Sequence, residues 1–93
     1  MREAVVLTSV LDMKAAGPLK ATLMGLRGQP AVLDASNVER LGGLCLQVLL
    51  SAFKTWQADG LPLNLITPSQ AFCEQWAAFG AADIKDITPG ALA

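Results

Sequence analysis

Side chains that could carry out acid–base or metal chemistry are few in this sequence, and they are scattered. It contains no histidine, the most common general base and metal ligand. Its two cysteines, Cys45 and Cys73, lie 28 positions apart, and two thiols without histidine cannot complete a zinc site. No nucleophile–base pair and no nucleotide-binding fingerprint accompanies them. We therefore expect a protein that is not an enzyme and that uses no metal or cofactor.

Asp34 is the acidic residue best placed for a site, because it ends a predicted strand and α/β proteins place their sites at such ends. No second acid, histidine or suitably placed lysine accompanies it. In the run Asp34-Ala35-Ser36-Asn37 its carboxylate can equally accept backbone amides and shape a turn. We favour this local structural role for Asp34 and Ser36. A small-molecule pocket formed by Asp34, Ser36 and the helix start at Gly42 is the alternative.

The glycine pair Gly42-Gly43 stands at the start of the longest predicted helix. A helix N-terminus can hold an anion, but no lysine, serine or threonine stands beside the pair. We interpret these glycines as permitting a close approach or an unusual turn.

Length and composition predict one compact domain over residues 1–93. The chain is 53% hydrophobic and 16% charged, with a net charge of −1, which indicates a dense core and no attraction to nucleic acid or an anionic membrane. The apolar run at residues 44–50 is interrupted by Gln47 and is too short to cross a membrane. The N-terminal apolar run is too short for a signal peptide, and the cysteines suit a reduced compartment. We expect a cytoplasmic protein with a flexible tail at residues 88–93.

Hydrophobic spacing predicts an alternation of strands and helices. Strands are predicted at residues 4–10, 31–35 and 62–66, and helices at residues 14–26, 41–58 and from Pro68 to Gly80, with Thr67 as the cap of the last helix and Gly17-Pro18 in the first turn of the first. Ile84 and Ile87 could add an edge strand. This order predicts an α/β fold, a single sheet of about four to five mostly parallel strands with three main helices.

Each predicted helix has an apolar face. The first helix carries Ala16, Leu19, Leu23 and Leu26 on that face, and the long helix carries Cys45, Val48, Leu49, Ala52, Phe53 and Trp56. Phe72, Trp76 and Phe79 form an aromatic stripe that we assign to the core. On the long helix, polar residues from Gln47 onward recur every three to four positions, and Leu44 begins that polar arc. The sequence leaves open whether Leu44 is an exposed contact residue or is buried by an inward tilt of the first turn.

Residues 33–50, LDASNVERLGGLCLQVLL, resemble the signature of STAS domains, named for sulfate transporters and anti-sigma-factor antagonists. That signature is a strand ending in Asp-x-Ser, a valine two residues later, and an apolar helix. The positions that match are Asp34, Ser36, Val38, Leu46, Val48, Leu49 and Leu50. The predicted order of elements also resembles that family over nearly the whole chain, so the resemblance implies a single STAS-like domain.

The resemblance implies a switch or adaptor protein, but one residue type is missing. In anti-sigma-factor antagonists a kinase phosphorylates a serine or threonine at the start of the second long helix. Here the acceptor position falls on Leu44, and its neighbours are Gly42, Gly43 and Cys45, none of which carries a hydroxyl. The family's phospho-switch therefore cannot be carried over to this chain.

What the resemblance leaves is a binding surface for a protein partner. We expect a non-catalytic regulatory module that binds a kinase or signalling complex of the chemotaxis or anti-sigma type, with no nucleic acid and no direct membrane insertion. The residues expected to contact the partner are Asn37, Glu39, Arg40, Gly42, Gly43, Leu44 and Gln47. The alternatives are an accessory STAS subunit of a phospholipid-transport ABC system and a small-molecule or nucleotide-sensing STAS domain.

Overall fold

The computed structural model describes residues 4–80, which form five short strands and three helices. In chain order they are β1 (Val5–Val6), β2 (Val10–Leu11), α1 (Met13–Gly25), β3 (Ala31–Asp34), β4 (Arg40–Leu41), α2 (Gly43–Ala58), β5 (Leu63–Ile66) and α3 (Gln70–Ala78). All strand pairs are parallel, in a three-stranded sheet of order β1-β3-β5 and a two-stranded sheet β2-β4. The predicted α/β fold with mostly parallel strands and three main helices is confirmed, with the five described strands divided between two sheets rather than joined in the single sheet expected.

The first predicted strand, residues 4–10, is two strands in the structure. Val5 lies opposite Leu33 of β3, whereas Val10 lies opposite Arg40 of β4. The chain changes partner because β3 ends at Asp34, so the continuing segment pairs with the next extended residues along the chain. Between β1 and β2, the carbonyl of Ser9 accepts hydrogen bonds from the N–H of Glu39 at 2.7 Å and from the N–H of Arg40 at 3.1 Å. Arg40 is the first residue of β4. The sequence prediction missed β4, which has only two residues.

The core is built from the buried faces of β3, β5 and the three helices. Leu33, Leu49, Leu65 and Phe72 have no exposed surface at all. Buried and half-buried residues alternate along β3. This alternation is the period of two that a strand imposes on its side chains. One face of β3 therefore carries the core.

Helix α1 begins earlier than predicted because of Asp12. Its carboxylate accepts hydrogen bonds from the N–H groups of Lys14 and Ala15, at 3.0 and 3.1 Å, as an N-cap. With Met13 as the first helical residue, Pro18 lies inside the helix rather than in its first turn. Proline lacks the N–H that would bond four residues back, so the helix forgoes one hydrogen bond there. The buried residues of α1 are Leu19 and Leu23, both on the predicted apolar face.

The cap of α3 is Ser69, and the prediction of Thr67 is wrong. The hydroxyl of Ser69 accepts a hydrogen bond of 3.0 Å from the N–H of Phe72. Thr67 has a φ of 44°, so the chain turns sharply there and Pro68 remains outside the helix. The predicted strand near Ile84 and the tail 88–93 lie outside the described residues.

Replacing Leu49 tests the packing of α2 on the sheet. Because the Leu49 side chain is fully buried, we expect Leu49→Ala to lower the free energy of unfolding by about 2–5 kcal/mol through lost burial and a cavity. Urea denaturation followed by circular dichroism measures the change, and Leu44→Ala, at a half-exposed position of the same helix, is the control. Equal small losses in both variants would mean that α2 is rotated relative to this description.

Candidate functional site

The residues predicted to contact a partner lie on one stretch of chain that leads from the end of β3 into α2. Six of the seven are exposed, and Gly42 is half-buried. We call this region the α2 head surface, and its members are Asn37, Glu39, Arg40, Gly42, Gly43, Leu44 and Gln47. Asp34 and Ser36 lie just before it, at the end of β3.

The two glycines bring the start of α2 close to its neighbours. Gly42 precedes the helix, and its N–H donates a 2.8 Å hydrogen bond to the carbonyl oxygen of Leu11. A Cβ at Gly42 would lie 3.1 Å from that same oxygen, so a side chain would crowd β2. The interpretation of this glycine as permitting a close approach is confirmed. No side chain caps α2, so its first N–H groups face outward without a side-chain acceptor.

Leu44 is exposed, which answers the question that the sequence left open. It is the second residue of α2, and 51% of its surface is accessible, whereas the next two residues, Cys45 and Leu46, are buried. A large apolar side chain thus points to solvent from the first turn of a helix whose other large apolar residues mostly face the core.

Phe79 is also exposed, and the assignment of this residue to the core is wrong. Phe72 and Trp76 are buried and their rings stack at 5.5 Å, but α3 ends at Ala78 and Phe79 is 49% accessible. A Cβ at Gly43 would lie 3.7 Å from a ring carbon of Phe79. The ring therefore lies beside the α2 head surface at Gly43 and adds exposed apolar area there.

Gln75 of α3 holds the segment that leads into α2, and sequence reasoning missed it. Its side-chain oxygen accepts a 2.7 Å hydrogen bond from the N–H of Leu41, and its side-chain nitrogen donates a 3.0 Å bond to the carbonyl of Glu39. One amide group thus pairs with an N–H and a C=O two residues apart, as a neighbouring parallel strand would. The hydroxyl of Ser69 adds a hydrogen bond to the carbonyl of Val38. We call these three bonds the α3 clamp.

Asp34 has the local structural role expected of it. Its Oδ1 accepts 2.9 Å hydrogen bonds from the N–H of Ser36 and from the hydroxyl of Thr67. The bonds from Ser36, first through the backbone and then through the side chain, and the bond from Thr67 hold the pKa of Asp34 below its ordinary value, while burial acts in the opposite direction. The carboxylate therefore ties the end of β3 to the end of β5.

A groove of about 370 Å³ lies between α1 and α2. Leu44 and Gln47 line it, but Asp34, Ser36 and Gly42 do not, so it is not the strand-end pocket considered from the sequence. Within residues 4–80, no three cysteine, aspartate or glutamate side chains are placed to share a metal ion. None of the helices in this range has the length and apolar character needed to cross a membrane.

The fold and the exposed segment define a small parallel α/β module whose distinctive surface surrounds the start of its second helix. A family model described as "Mlab, STAS domain" matches residues 2–88. The chain therefore belongs to the STAS domain family. No curated protein and no solved structure matches it.

Replacing Asp34 with a neutral residue should make the stability of the protein less dependent on pH in the acid range. Because its folded pKa is lowered from 3.8, the charged form stabilises the fold above that pH, and this stabilisation disappears as the pH falls through the folded pKa. We expect Asp34→Asn to melt below the wild type at pH 7 and the gap to close as the pH falls through the folded pKa of Asp34. Thermal melts from pH 7 to pH 2.5 test this. A gap that stays constant over the whole range would show that the charge of Asp34 is irrelevant.

Removing the Gln75 amide should loosen the approach to α2. Gln75→Ala leaves the partly buried N–H of Leu41 without its acceptor, so we expect a loss of about 1–3 kcal/mol in the free energy of unfolding. Hydrogen exchange of the Leu41 amide should become faster by at least tenfold.

Gln70→Ala is the matched control for Gln75→Ala, since Gln70 is exposed on the same helix and bonds the side chain of Glu74. A surface pair of this kind contributes only a few tenths of a kcal/mol. If both variants leave exchange at Leu41 unchanged, the α3 clamp does not hold this segment.

Proposed function

We propose that this STAS domain is a non-catalytic adaptor that binds a regulatory protein partner, a kinase or a signalling complex, through the α2 head surface. It does so without the phosphorylation switch of its family. Binding is then not controlled by phosphorylation at the start of α2, and any regulation acts on the partner.

The observation that carries the proposal is the exposure of Leu44. At the position where the family resemblance expects an acceptor hydroxyl, this chain presents a leucine with half its surface accessible. An exposed leucine costs solvation free energy, roughly 25 cal/mol for each Å² of apolar surface left in water. A partner that covers Leu44 and the exposed ring of Phe79 beside Gly43 recovers that free energy. An apolar centre within a polar rim is the usual composition of such an interface.

The backbone that leads to Leu44 is already held in place by hydrogen bonds, which favours binding of a partner there. The α3 clamp fixes the backbone of Glu39 and Leu41 on one side, and Gly42 is held against β2 on the other. A surface whose backbone is already ordered loses less conformational entropy when it binds. Glu39 and Arg40, both exposed, supply charges of opposite sign at the rim.

A non-catalytic role is supported by the engagement of the carboxylate of Asp34 at the end of β3. Asp34 accepts hydrogen bonds from Ser36 and Thr67, and its lowered pKa favours a fixed charged form rather than proton exchange near neutral pH. The sequence also lacks histidine.

An accessory subunit of a phospholipid-transport ABC system is the second candidate. The description of the matched family names Mlab, and it names neither chemotaxis nor a sigma-factor pathway. For this reason we keep the transporter subunit, one of the alternatives that the family resemblance implies, as a candidate. It requires the same kind of protein contact at the α2 head surface, so the identity of the partner distinguishes the two. The cytoplasmic location expected from the sequence remains a prediction.

Leu44→Asp separates binding from folding. We expect the melting temperature to change little, because Leu44 is half-exposed and an acid near a helix N-terminus gains about 0.3–1 kcal/mol. Partner binding should fall at least tenfold, since the variant places an unpaired charge where the contact must exclude water. The change also imitates, with less charge, the phosphorylated state of the family.

The measurement is circular dichroism melting together with capture from the native cell extract, quantified by mass spectrometry. Thr22→Asp, which adds the same charge at an exposed position of α1, is the control. A kinase or chemotaxis protein retained by wild type and by Thr22→Asp but lost with Leu44→Asp supports the leading proposal, and ABC-transporter subunits with that pattern support the second. Equal capture by all three forms would contradict the α2 head surface as the docking site.

A further inference from the structure

The groove between α1 and α2 is a second feature of the surface that faces the partner. The two helices follow the parallel strands β2 and β4 and therefore run side by side in the same direction. At their starts the Cys45 thiol contacts the carbonyl of Asp12 at 3.3 Å, and just beyond their ends Arg27 and Asp59 form an ion pair at 3.4 Å. The groove runs between these two contacts.

The floor of the groove is apolar. It is formed by Leu23, Ala52 and Trp56, which are buried, and by Val48, which is half-buried. From Leu44 to Trp56 the groove follows thirteen residues of α2, and the twelve steps between them give a length of about 18 Å at 1.5 Å per residue. An apolar trough of this length matches about three turns of another helix.

The two rims differ in chemistry. On α2 the rim carries Gln47, Ser51 and Thr55, which are uncharged and spaced four residues apart along one side of the helix. On the α1 side it carries Lys20 and Arg27, and no aspartate or glutamate lines the groove among the described residues. Arg27 is 59% exposed despite its ion pair with Asp59, and such exposed pairs hold their partners weakly. The groove therefore has one cationic wall.

We propose that this groove binds an amphipathic helix of the partner, whose apolar face contacts the floor and whose acidic flank faces Lys20 and Arg27. The proposal rests on the proposed function, because Leu44 and Gln47 belong both to the groove and to the α2 head surface. Helix-in-groove binding uses anchors at positions i, i+3 or i+4, and i+7 of the bound helix. The partner segment is thus expected to carry three or four apolar anchors with glutamate or aspartate along one side.

Other occupants fit less well. A second copy of this chain would have to supply a helix with three or four large apolar anchors on one exposed face. The exposed residues of α3 are polar, acidic or alanine, α1 exposes only Met13 and Met24 as large apolar residues, and α2 exposes only Leu44. A fatty acid needs a site that encloses most of its surface, whereas this groove is flanked by exposed residues on both helices. A helix needs only one face buried.

Synthetic peptides test the proposal directly. The probe is a fluorescein-labelled amphipathic helix of about 18 residues, long enough to span the groove, with leucine anchors and glutamate along one flank. A matched peptide has lysine in place of each glutamate. Fluorescence anisotropy should show binding of the acidic peptide at least tenfold tighter than that of the basic one.

Reversing the cationic wall should reverse this preference. In Lys20→Glu/Arg27→Glu, affinity for the acidic peptide should fall at least tenfold and affinity for the basic peptide should rise. Lys14→Glu/Lys54→Glu makes the same change in net charge at exposed positions that do not line the groove, and it should change the affinity for each peptide less than threefold. Thr55→Trp, which fills the groove from its rim, should abolish binding of both peptides while the circular dichroism melt stays cooperative.

Several results would overturn the groove proposal. Equal binding of the two peptides, or equal effects of the two double variants, would exclude the cationic wall as the determinant. Dodecanoate that binds more tightly than the acidic peptide and loses affinity in Lys20→Glu/Arg27→Glu would assign the groove to a small anionic amphiphile. Dimerisation in analytical ultracentrifugation that is lost in the same variant would assign it to a second copy.

Failure of the groove proposal can be told apart from failure of the proposed function. If Leu44→Asp abolishes capture of the native partner while Thr55→Trp and Lys20→Glu/Arg27→Glu capture it normally, the partner binds the α2 head surface alone and the groove proposal is wrong. If neither set of variants affects capture, both proposals are wrong.

Discussion

The side-chain amide of Gln75 is the contact on which the position of the α2 head surface depends. β4 has only two residues and pairs with an equally short strand, β2. A two-stranded pair of this length is not stable by itself. The amide of Gln75 pairs with the other edge of the segment, through the N–H of Leu41 and the carbonyl of Glu39. The side chain of Gln75 on α3 therefore makes the two hydrogen bonds that a further strand would make beside β4. These two bonds set the direction in which the chain enters α2.

This arrangement explains how an apolar residue can remain exposed on an ordered backbone. The N–H of Gly42 is hydrogen-bonded to the carbonyl of Leu11, and the α3 clamp holds the residues before it, so the backbone that enters α2 is held in place with Leu44 exposed. Under the proposed function, the exposed Leu44 stands where the resemblance to anti-sigma-factor antagonists places a phospho-acceptor, so the binding surface is kept without the switch. The role that we propose, a constitutive adaptor, follows from that combination of a rigid backbone and an apolar side chain.

Much of the fold could be predicted from the sequence because local periodicity reports burial. The spacing of Leu19 and Leu23 indicated the buried face of α1, and the apolar arc of α2 indicated Leu49 correctly. What could not be predicted depends on partners far along the chain. The bonds of Gln75 join residues 34 and 36 positions apart, and the division of the first strand depends on where β3 ends. The cap of α3 was misassigned because Thr67 and Ser69 are both good caps and only the backbone turn at Thr67 decides between them.

The candidate site shows the same division between local and distant signals. The family resemblance indicated the residues of the α2 head surface, and the absence of a side chain on glycine indicated the close approach at Gly42. The exposure of Phe79 and the groove between α1 and α2 had no signal in the sequence, since each arises where elements distant along the chain meet. The cationic wall in particular comes from Lys20 and Arg27, which the helical period could place on the solvent side of α1 but not beside α2.

Hydrogen exchange of the chain, free and bound to its captured partner, tests the docking surface most directly. The first N–H groups of α2 have no side-chain cap, so they should exchange rapidly in the free protein and report on anything that covers them. We expect slower exchange on binding over residues 37–47, with little change in β5. Protection confined to α3 or to β1, with residues 37–47 unchanged, would contradict it.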